Sequence, residues 1–143
     1  MTVENVLHVK GNNIWSVAPE ATVFDAIKIM AEKNIGALLV MQKEKVVGIF
    51  SERDYARKIV LKGESSHTTA VKDVMTSEIL FVNPEQTIEE CMALMTSKYI
   101  RHLPVLANGK LVGLISIGDV VKAIISEHEY TIKLLENYIT GSR

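Results

Sequence analysis

The sequence is poor in the features that mark disulfide-bonded, metal-clustered or membrane-spanning proteins. Its 143 residues include one cysteine, Cys91, so a single chain can form no internal disulfide and no cysteine-based zinc cluster. The longest nearly unbroken apolar run, Ile35 to Met41, is far shorter than the roughly 20 residues of a membrane-spanning helix. The N-terminus lacks the basic start and apolar core of a signal peptide. We therefore expect a soluble protein of the reducing cytoplasm.

An excess of charge of one sign is also absent. Sixteen basic and 17 acidic residues give a net charge of -1, which offers no general attraction to nucleic acid or to an anionic membrane. The four histidines are scattered without ligand spacing, and neither a phosphate-loop signature nor a dinucleotide-binding glycine motif occurs. We predict no metal site, no nucleic-acid partner and no membrane partner.

What the sequence does contain is an internal repeat. The stretch from Gly48 to Asp54 (GIFSERD) returns 65 residues later between Gly113 and Asp119 (GLISIGD), with Gly, Ser and Asp in the same places. Adding 65 to each position matches the chain without a gap from Pro19 onward through the whole motif. Two copies of so small a unit are expected to pack on each other, because neither buries its faces well alone.

Periodicity and turn residues divide both copies into the same elements. Apolar residues recur at helical spacing after Thr22 and after Thr87, and threonine is a typical helix cap. Glu90, three residues after Thr87, completes a capping-box pattern. Strands are predicted at Ile14 to Val17, Ala37 to Met41, Ile79 to Val82 and Leu103 to Leu106, with turns at 42–45 and 107–110 before each motif strand. Each copy therefore has the pattern β-α-β-β-α, which is an α/β (α+β) fold.

Ser51 and Asp54 recur as Ser116 and Asp119, where the motif strand ends and a helix begins. Serine at the cap and aspartate in the first turn favour any helix start, so capping alone explains either pair taken singly. The free N–H groups and the positive end of the helix dipole in the same turn also form a cradle for a small anion or a sugar hydroxyl. Because the Gly, the Ser and the Asp all recur in register, the binding cradle is favoured over capping alone.

The two motifs, the lead-in from Val71 to Thr76 (VKDVMT) and the stretch from Tyr99 to Val105 (YIRHLPV) resemble the paired cystathionine-β-synthase (CBS) domain, or Bateman module. The resemblance implies tandem CBS repeats packed with pseudo-two-fold symmetry. CBS domain 1 is expected at residues 5–64, CBS domain 2 at 71–126 and a C-terminal helical extension at 127–143. With nothing attached, the sequence resembles a stand-alone two-domain member. The boundary is soft, because the first half-strand of each copy is able to pair with the other.

The resemblance also implies a function. The family commonly binds AMP, ATP, NAD species or S-adenosylmethionine in clefts between paired domains, and it regulates an enzyme or a channel. The expectation is a non-catalytic sensor with no required cofactor, for which an adenine nucleotide is the regulatory ligand. Two alternatives stay open at this point: a structural or protein-interaction homodimer that binds no nucleotide, and an enzyme that acts on a nucleotide.

The ligand site implied by the resemblance has three parts. Asp54 and Asp119 would bind the ribose diol, and Ser51 and Ser116 would face the phosphate together with Arg53 and Arg101. Adenine would be held by Ile14, Trp15, Ser16, Gly36 and Ala37 in one site and by Ile79, Leu80, His102 and Pro104 in the other. Three of these residues have competing interpretations: Arg53 as a solvated surface arginine, Trp15 as a core anchor, and His102 as a phosphate ligand, a pH-sensitive contact or a core residue.

The C-terminal segment departs from the repeat. Apolar positions keep helical spacing almost to Gly141, at Val121, Ile124, Ile125, His128, Ile132, Leu135 and Ile139. A stripe that long has no core of its own to cover, so it is expected to pack against the other unit, a second chain or a partner protein. The family forms homodimers through its helices, so the resemblance favours the second chain.

Overall fold

The protein, described by a computed structural model over residues 1–11 and 13–140, divides into two compact units. The middle unit is Asn13–Leu80, and the terminal unit combines the segment before Asn13 with the chain from Phe81 onward. Helices and strands alternate in both units, which confirms the predicted α+β class. Residues 141–143 of the expected C-terminal extension lie outside the described residues.

The elements follow the repeat. In chain order they are helix α1 (Val3–Lys10), strand β1 (Ser16–Val17), helix α2 (Val23–Lys33), strands β2 (Ala37–Gln42) and β3 (Lys45–Ser51), helix α3 (Glu52–Asp54), a π-helix (Tyr55–Val60), a 3-10 helix (Val71–Asp73), helix α4 (Ile88–Lys98), strands β4 (His102–Ala107) and β5 (Lys110–Ser116), and helix α5 (Ile117–Thr140). Each copy thus contributes a helix, a β-hairpin and a second helix that begins directly after the motif serine.

A three-stranded sheet in the order β1-β2-β3 forms the framework of the middle unit. Strand β1 runs parallel to β2, and β2 runs antiparallel to β3. The residues from Ala37 to Val40 are all buried, because β2 is the middle strand and is covered on both faces. The core of this unit consists of Val17, Val23, Ala26, Met30, Leu38, Val40, Phe50, Ile59 and Val71.

The terminal unit has the same hairpin, β4-β5, but no complete third strand. Its counterpart of β1 is one parallel bridge between Val82 and Val105. In the middle unit Leu39 N donates to Trp15 O at 3.4 Å, whereas the counterpart of Leu39 is Pro104, which has no N–H to donate. The strand predicted at Ile79 to Val82 is therefore reduced to that bridge. Both half-strands pair within their own repeat.

Helix α1 and residues 71–76 are the segments that lead into the first strands of the two repeats, and each packs against the motif strand of the opposite repeat. Helix α1 comes before β1 of the first repeat, yet Val3, Val6 and Leu7 are buried in the core of the terminal unit. Leu7 lies so close to Gly113 that an added Cβ would come 2.5 Å from Leu7 Cδ2. The terminal core also includes Val82, Ile88, Cys91, Met95, Leu103, Val105, Ile115, Val120 and Ala123.

The lead-in to the second repeat belongs instead to the middle unit. Val71 is buried in the middle core, and Met75 occupies the space beside Gly48 as Leu7 does beside Gly113. Thr76 extends this contact with an antiparallel bridge to the motif strand β3. The spatial units consequently do not follow the boundaries of the sequence repeats.

Threonine caps both long helices of the repeat, as predicted. Thr22 Oγ1 accepts a hydrogen bond from Asp25 N, and Thr87 Oγ1 accepts one from Glu90 N, each at 3.1 Å. The Glu90 carboxylate accepts from Gln86 Nε2 at 3.3 Å. Only the threonine half of the predicted capping box is therefore formed at α4.

Candidate functional site

The motif of the middle unit closes a capping box at the start of α3. Ser51 Oγ accepts a hydrogen bond from Asp54 N at 3.2 Å, and the Asp54 carboxylate accepts from Ser51 N at 3.0 Å. Ser51 Oγ also donates to Asp54 Oδ2 at 3.1 Å, and Glu52 N donates to Gly36 O at 3.0 Å. The serine hydroxyl and two of the first helix amides are thus already engaged within the protein.

Asp54 is the only buried charged side chain among the residues that the structure describes. Lys58 Nζ lies 3.0 Å from Asp54 Oδ1, and Thr76 Oγ1 donates to the same oxygen at 3.2 Å. Lys58 Nζ also donates to Val74 O at 2.9 Å. These donors offset the cost of burying the carboxylate, so a ribose diol at Asp54 would have to displace or share them.

The terminal unit repeats the serine–aspartate geometry at the start of α5. Ser116 Oγ accepts from Asp119 N at 3.2 Å, and Asp119 Oδ2 accepts from Ser116 N at 2.8 Å. Ile117 N donates to Arg101 O at 2.8 Å, which is the counterpart of the bond between Glu52 and Gly36. Capping is therefore a role of both motif pairs.

Helix α1 supplies a lysine to the second aspartate. Lys10 Nζ donates to Asp119 Oδ2 and to Leu114 O, each at 2.6 Å. Burial alone would raise the pKa of Asp119, but hydrogen bonds from Lys10 and Ser116 and the charge of Lys10 lower that pKa below its usual value. The Asp119 side chain is 19% exposed and that of Asp54 is 12% exposed. Asp119 is the more accessible of the two motif aspartates.

His102 begins β4 opposite Ser116 in the β4-β5 ladder. Burial, followed by the charges of Lys10 and Arg101, lowers the pKa of His102 to about 4, against an opposing effect of Asp119. The imidazole is therefore neutral at pH 7. It can contribute a hydrogen bond but no positive charge, so Lys10 is the cation that contacts Asp119, and Arg101 acts on His102.

The two arginines lie in different environments. Arg53 is partly buried in α3, directly before Asp54. Arg101 is exposed and directly precedes β4. An exposed guanidinium beside a motif turn has the freedom to reach a phosphate oxygen.

The residues expected to hold adenine in the first site surround the start of β2. Ala37 lies opposite Ser51 in the β2-β3 ladder, and Gly36 is bonded to the first amide of α3. Ser16 pairs with Leu39 through β1. Ile14 is partly buried just before β1. The middle unit therefore gathers the first predicted set near its motif.

The exposure of Trp15 contradicts one of the two roles predicted for it. Its side chain is 39% exposed, and Lys33 Nζ lies 4.2 Å from the ring centroid. The interpretation of Trp15 as a core anchor is therefore wrong. A cation over the ring stabilises an exposed indole, and a base that stacked on this face would have to displace it.

The second predicted set is divided between the units. Arg101, His102 and the buried Pro104 lie in the terminal unit with Asp119, whereas Ile79 and Leu80 belong to the middle unit. Within the terminal unit, the structure therefore joins only the β4 side of this set to the motif.

Sequence reasoning did not identify three residues that bind the motif carboxylates, Lys10, Lys58 and Thr76. Lys58 follows Asp54 by four residues, a helical spacing that signals an ion pair. Thr76 was part of the lead-in but had no assigned role. Lys10 lies 109 residues from Asp119, and no local pattern connects the two.

Two further properties concern the described residues only. Within residues 1–11 and 13–140, no group of three or more His, Cys, Asp or Glu side chains is arranged to hold a metal ion. None of the helices in these ranges combines the length and the apolar character needed to cross a membrane.

Comparisons with known proteins identify the architecture. The CBS domain family model matches residues 5–61 and 71–126. A protein with CBS domains from Burkholderia ambifaria MC40-6, of solved structure, is 52% identical, with a TM-score of 0.86 over 88% of this chain and 95% of that chain. The mitochondrial CBS domain-containing protein CBSX3 of Arabidopsis thaliana is 40% identical over 98% of this chain and 72% of its own length.

A more distant structure has the same fold. The CBS domain pair of protein MJ0100, solved in complex with 5'-methylthioadenosine and S-adenosyl-L-methionine, is 19% identical with a TM-score of 0.78, over 89% of this chain and 98% of that chain. The repeat, the two serine–aspartate motifs and these matches lead to one conclusion. The chain belongs to the CBS domain family and carries two CBS domains in tandem.

Proposed function

We propose that this protein is a non-catalytic regulatory sensor of adenosine-containing ligands. AMP, ATP, NAD(H) or S-adenosylmethionine binds at the motif aspartates and changes the affinity of the protein, as a homodimer in the cytoplasm, for a regulated partner. The proposal rests chiefly on the environment of Asp119, an ionised and partly exposed carboxylate at a helix start with the Lys10 ammonium 2.6 Å away.

The chemistry of this environment suits a nucleotide. A carboxylate accepts hydrogen bonds from two hydroxyl groups at once, and such charge-assisted bonds are stronger than neutral ones. A guanidinium presents a planar fork that matches phosphate oxygens. The CBS pair of MJ0100 holds two adenosine-containing ligands, which supports this ligand class for the present fold.

The two motifs differ in how readily they would accept a ligand. Asp54 is more buried and is bonded by Ser51, Thr76 and Lys58. Asp119 is more exposed, and the exposed Arg101 has its backbone oxygen bonded to the first amide of α5. A phosphate-bearing ligand is therefore expected to bind more tightly at Asp119 than at Asp54.

Isothermal calorimetry tests the proposal with AMP, ADP, ATP, NAD, NADH and S-adenosylmethionine against purified, ligand-free protein. Asp119→Asn keeps an oxygen for the Ser116 amide but removes the charge, so the cap is retained while ribose binding is weakened by roughly tenfold or more. Asp54→Asn should leave the tighter ligand-binding event, which we assign to Asp119, unchanged. The exposed Asp25→Asn is the matched control and should bind as the unmodified chain does.

Two results would decide against the sensor. If no ligand of this panel binds the folded protein, the structural alternative replaces it. If a nucleotide is turned over and Asp54→Asn or Asp119→Asn abolishes the turnover, the protein is an enzyme. Regulation itself requires that the ligand bind two conformational states with different affinity, which a change in partner affinity would report.

A further inference from the structure

Helix α5 presents a stripe of apolar residues, interrupted by His128, that its own unit does not cover. Of its described residues, only Val120 and Ala123 are buried. The exposed positions Val121, Ile125, His128, Ile132, Leu135 and Ile139 follow one another at intervals of four, three, four, three and four residues. This alternation is the heptad spacing of a coiled coil, in which two positions of every seven face a partner helix.

We infer that α5 binds α5 of a second copy of this chain as an antiparallel two-helix coiled coil. Ile125, Ile132 and Ile139 occupy one seam position, and the remaining three residues of the stripe occupy the other. Antiparallel pairing about a two-fold axis that crosses the seam midway between His128 and Ile132 brings the two kinds of position together. Such an interface uses the same surface on both copies and closes at a dimer.

The pairing aligns every layer of the stripe. Val121 faces Ile139 of the second copy, Ile125 faces Leu135, and His128 faces Ile132, and each layer occurs twice by symmetry. All five apolar members of these layers are at least 40% exposed in the single chain. Covering them removes a large apolar surface from water, which supplies the main driving force for association.

The charges that flank the seam select the antiparallel direction. Lys122 faces Glu136 of the second copy on one flank, and this opposite-charge pair also occurs twice. Ile124 faces Tyr138 on the other flank. Glu129 meets its own counterpart at the axis, so one like-charge contact is set against two opposite-charge contacts.

A parallel pair would lack this complementarity. It would place Glu129 opposite Ile124 and Glu136 opposite Thr131, with no ion pair on either flank. It would also place His128 against the same histidine of the second copy within the seam. The dipoles of parallel helices are aligned, whereas those of antiparallel helices are opposed and attract each other.

Single cysteines distinguish the two directions in the full chain. Thr131→Cys faces its own counterpart only in the antiparallel pair, whereas Ile139→Cys faces its counterpart only in the parallel pair and is about 27 Å away in the antiparallel one. Mild oxidation should therefore cross-link Thr131→Cys and leave Ile139→Cys unlinked. The unmodified chain is the control, because Cys91 is buried. The opposite pattern would overturn the inference.

Charge exchange provides a second test by sedimentation equilibrium. Lys122→Glu and Glu136→Lys should each raise the dimer dissociation constant by roughly tenfold, and the double variant should restore it. Lys133→Glu lies outside the seam and its flanks and should leave the constant unchanged. Equal effects of all three single variants, or no recovery in the double variant, would contradict the pairing of Lys122 with Glu136.

The α5 pairing is the interface of the homodimer proposed above, and loss of this interface can be measured separately from loss of ligand binding. Ile132→Asp should raise the dissociation constant by roughly a hundredfold or more, while Tyr130→Asp on the opposite side of α5 should not. Calorimetry on the Ile132→Asp protein shows whether nucleotide binding persists. A chain that is monomeric without substitution, or a dimer that Ile132→Asp leaves intact, would overturn the α5 interface whatever the calorimetry shows.

Discussion

Lys10 acts on the pKa of two neighbouring residues. Burial first and the Lys10 ammonium second disfavour the charged form of His102, whose pKa is about 4, and the same ammonium lowers the pKa of Asp119 against the effect of burial. At neutral pH both side chains are therefore without their titrating proton, Asp119 as an anion and His102 as a neutral imidazole. Ligand binding at this motif is expected to be insensitive to His102 between about pH 6 and 8.

The lowered pKa of His102 makes the stability of the protein depend on pH in the weakly acidic range. The unfolded chain protonates His102 near pH 6.5 and the folded chain only near pH 4, so the free energy of unfolding falls as the pH drops between these values. The full loss is at most about 3 kcal/mol. Urea unfolding from pH 7 to pH 4.5 should show a smaller fall for His102→Gln than for the unmodified protein.

Nuclear magnetic resonance provides the direct check on this prediction. The ring protons of His102 should titrate with a midpoint near pH 4. A midpoint near the ordinary value of 6.5 would contradict the burial of the imidazole beside Lys10. If the free energy of unfolding of His102→Gln falls with decreasing pH as steeply as that of the unmodified protein, other groups cause the acid sensitivity.

Residue roles were predictable where their partners are close in sequence. The serine–aspartate pairs cap their helices with hydrogen bonds of 3.2 Å, as the motif indicated. The ion pair of Asp54 with Lys58 spans one helical turn and was readable in principle. The ion pair of Asp119 with Lys10 was not, because it depends on how α1 packs after the chain has folded.

At the scale of the elements, local chemistry predicted the hairpins well and the first strands poorly. Asn108 and Gly109 have φ angles of 52° and 77°, which match the predicted turn. The strand predicted before α4 contracts to one bridge because Pro104 lacks an N–H. The helix after Asp54 was predicted, but its π-helical part, Tyr55–Val60, has no sequence signal that we can identify.

Close packing between the lead-ins and the motif strands sets the cost of a methyl group at each motif glycine. Gly113→Ala would force Leu7 to shift, which we expect to cost about 1 to 3 kcal/mol. Gly48→Ala should cost less, because Met75 is unbranched and adapts more easily than leucine. Urea unfolding measures both costs.

Gly118→Ala is the control for these variants. Its added Cβ would lie 3.6 Å from Ser116 Oγ, an ordinary contact, and alanine in a helix is favoured over glycine by up to about 1 kcal/mol. This variant should therefore be as stable as the unmodified protein or more so. An unfolding midpoint for Gly113→Ala equal to that of Gly118→Ala would show that Leu7 does not press on Gly113.

For the whole molecule, the repeats and the folded units are different divisions of the chain. Periodicity identified two similar copies, because each copy encodes its own helix, hairpin and motif. It did not show that each lead-in packs against the motif strand of the opposite repeat. That arrangement depends on the contacts of Leu7 with Gly113 and of Met75 with Gly48. Both are long-range contacts, which the periodicity of the sequence does not indicate.

The position of α1 predicts where damage to the N-terminus appears. Leu7→Asp places a carboxylate in the terminal core, where the side chain is 7% exposed, and should reduce stability by at least about 3 kcal/mol. Val9→Asp changes the same helix at a residue that is 87% exposed and should have little effect. Hydrogen exchange of Leu7→Asp should show the largest loss of protection in α4, β4 and β5, although α1 precedes the first repeat. Loss concentrated in β2 and β3 instead would mean that α1 stabilises the repeat it precedes rather than the terminal unit.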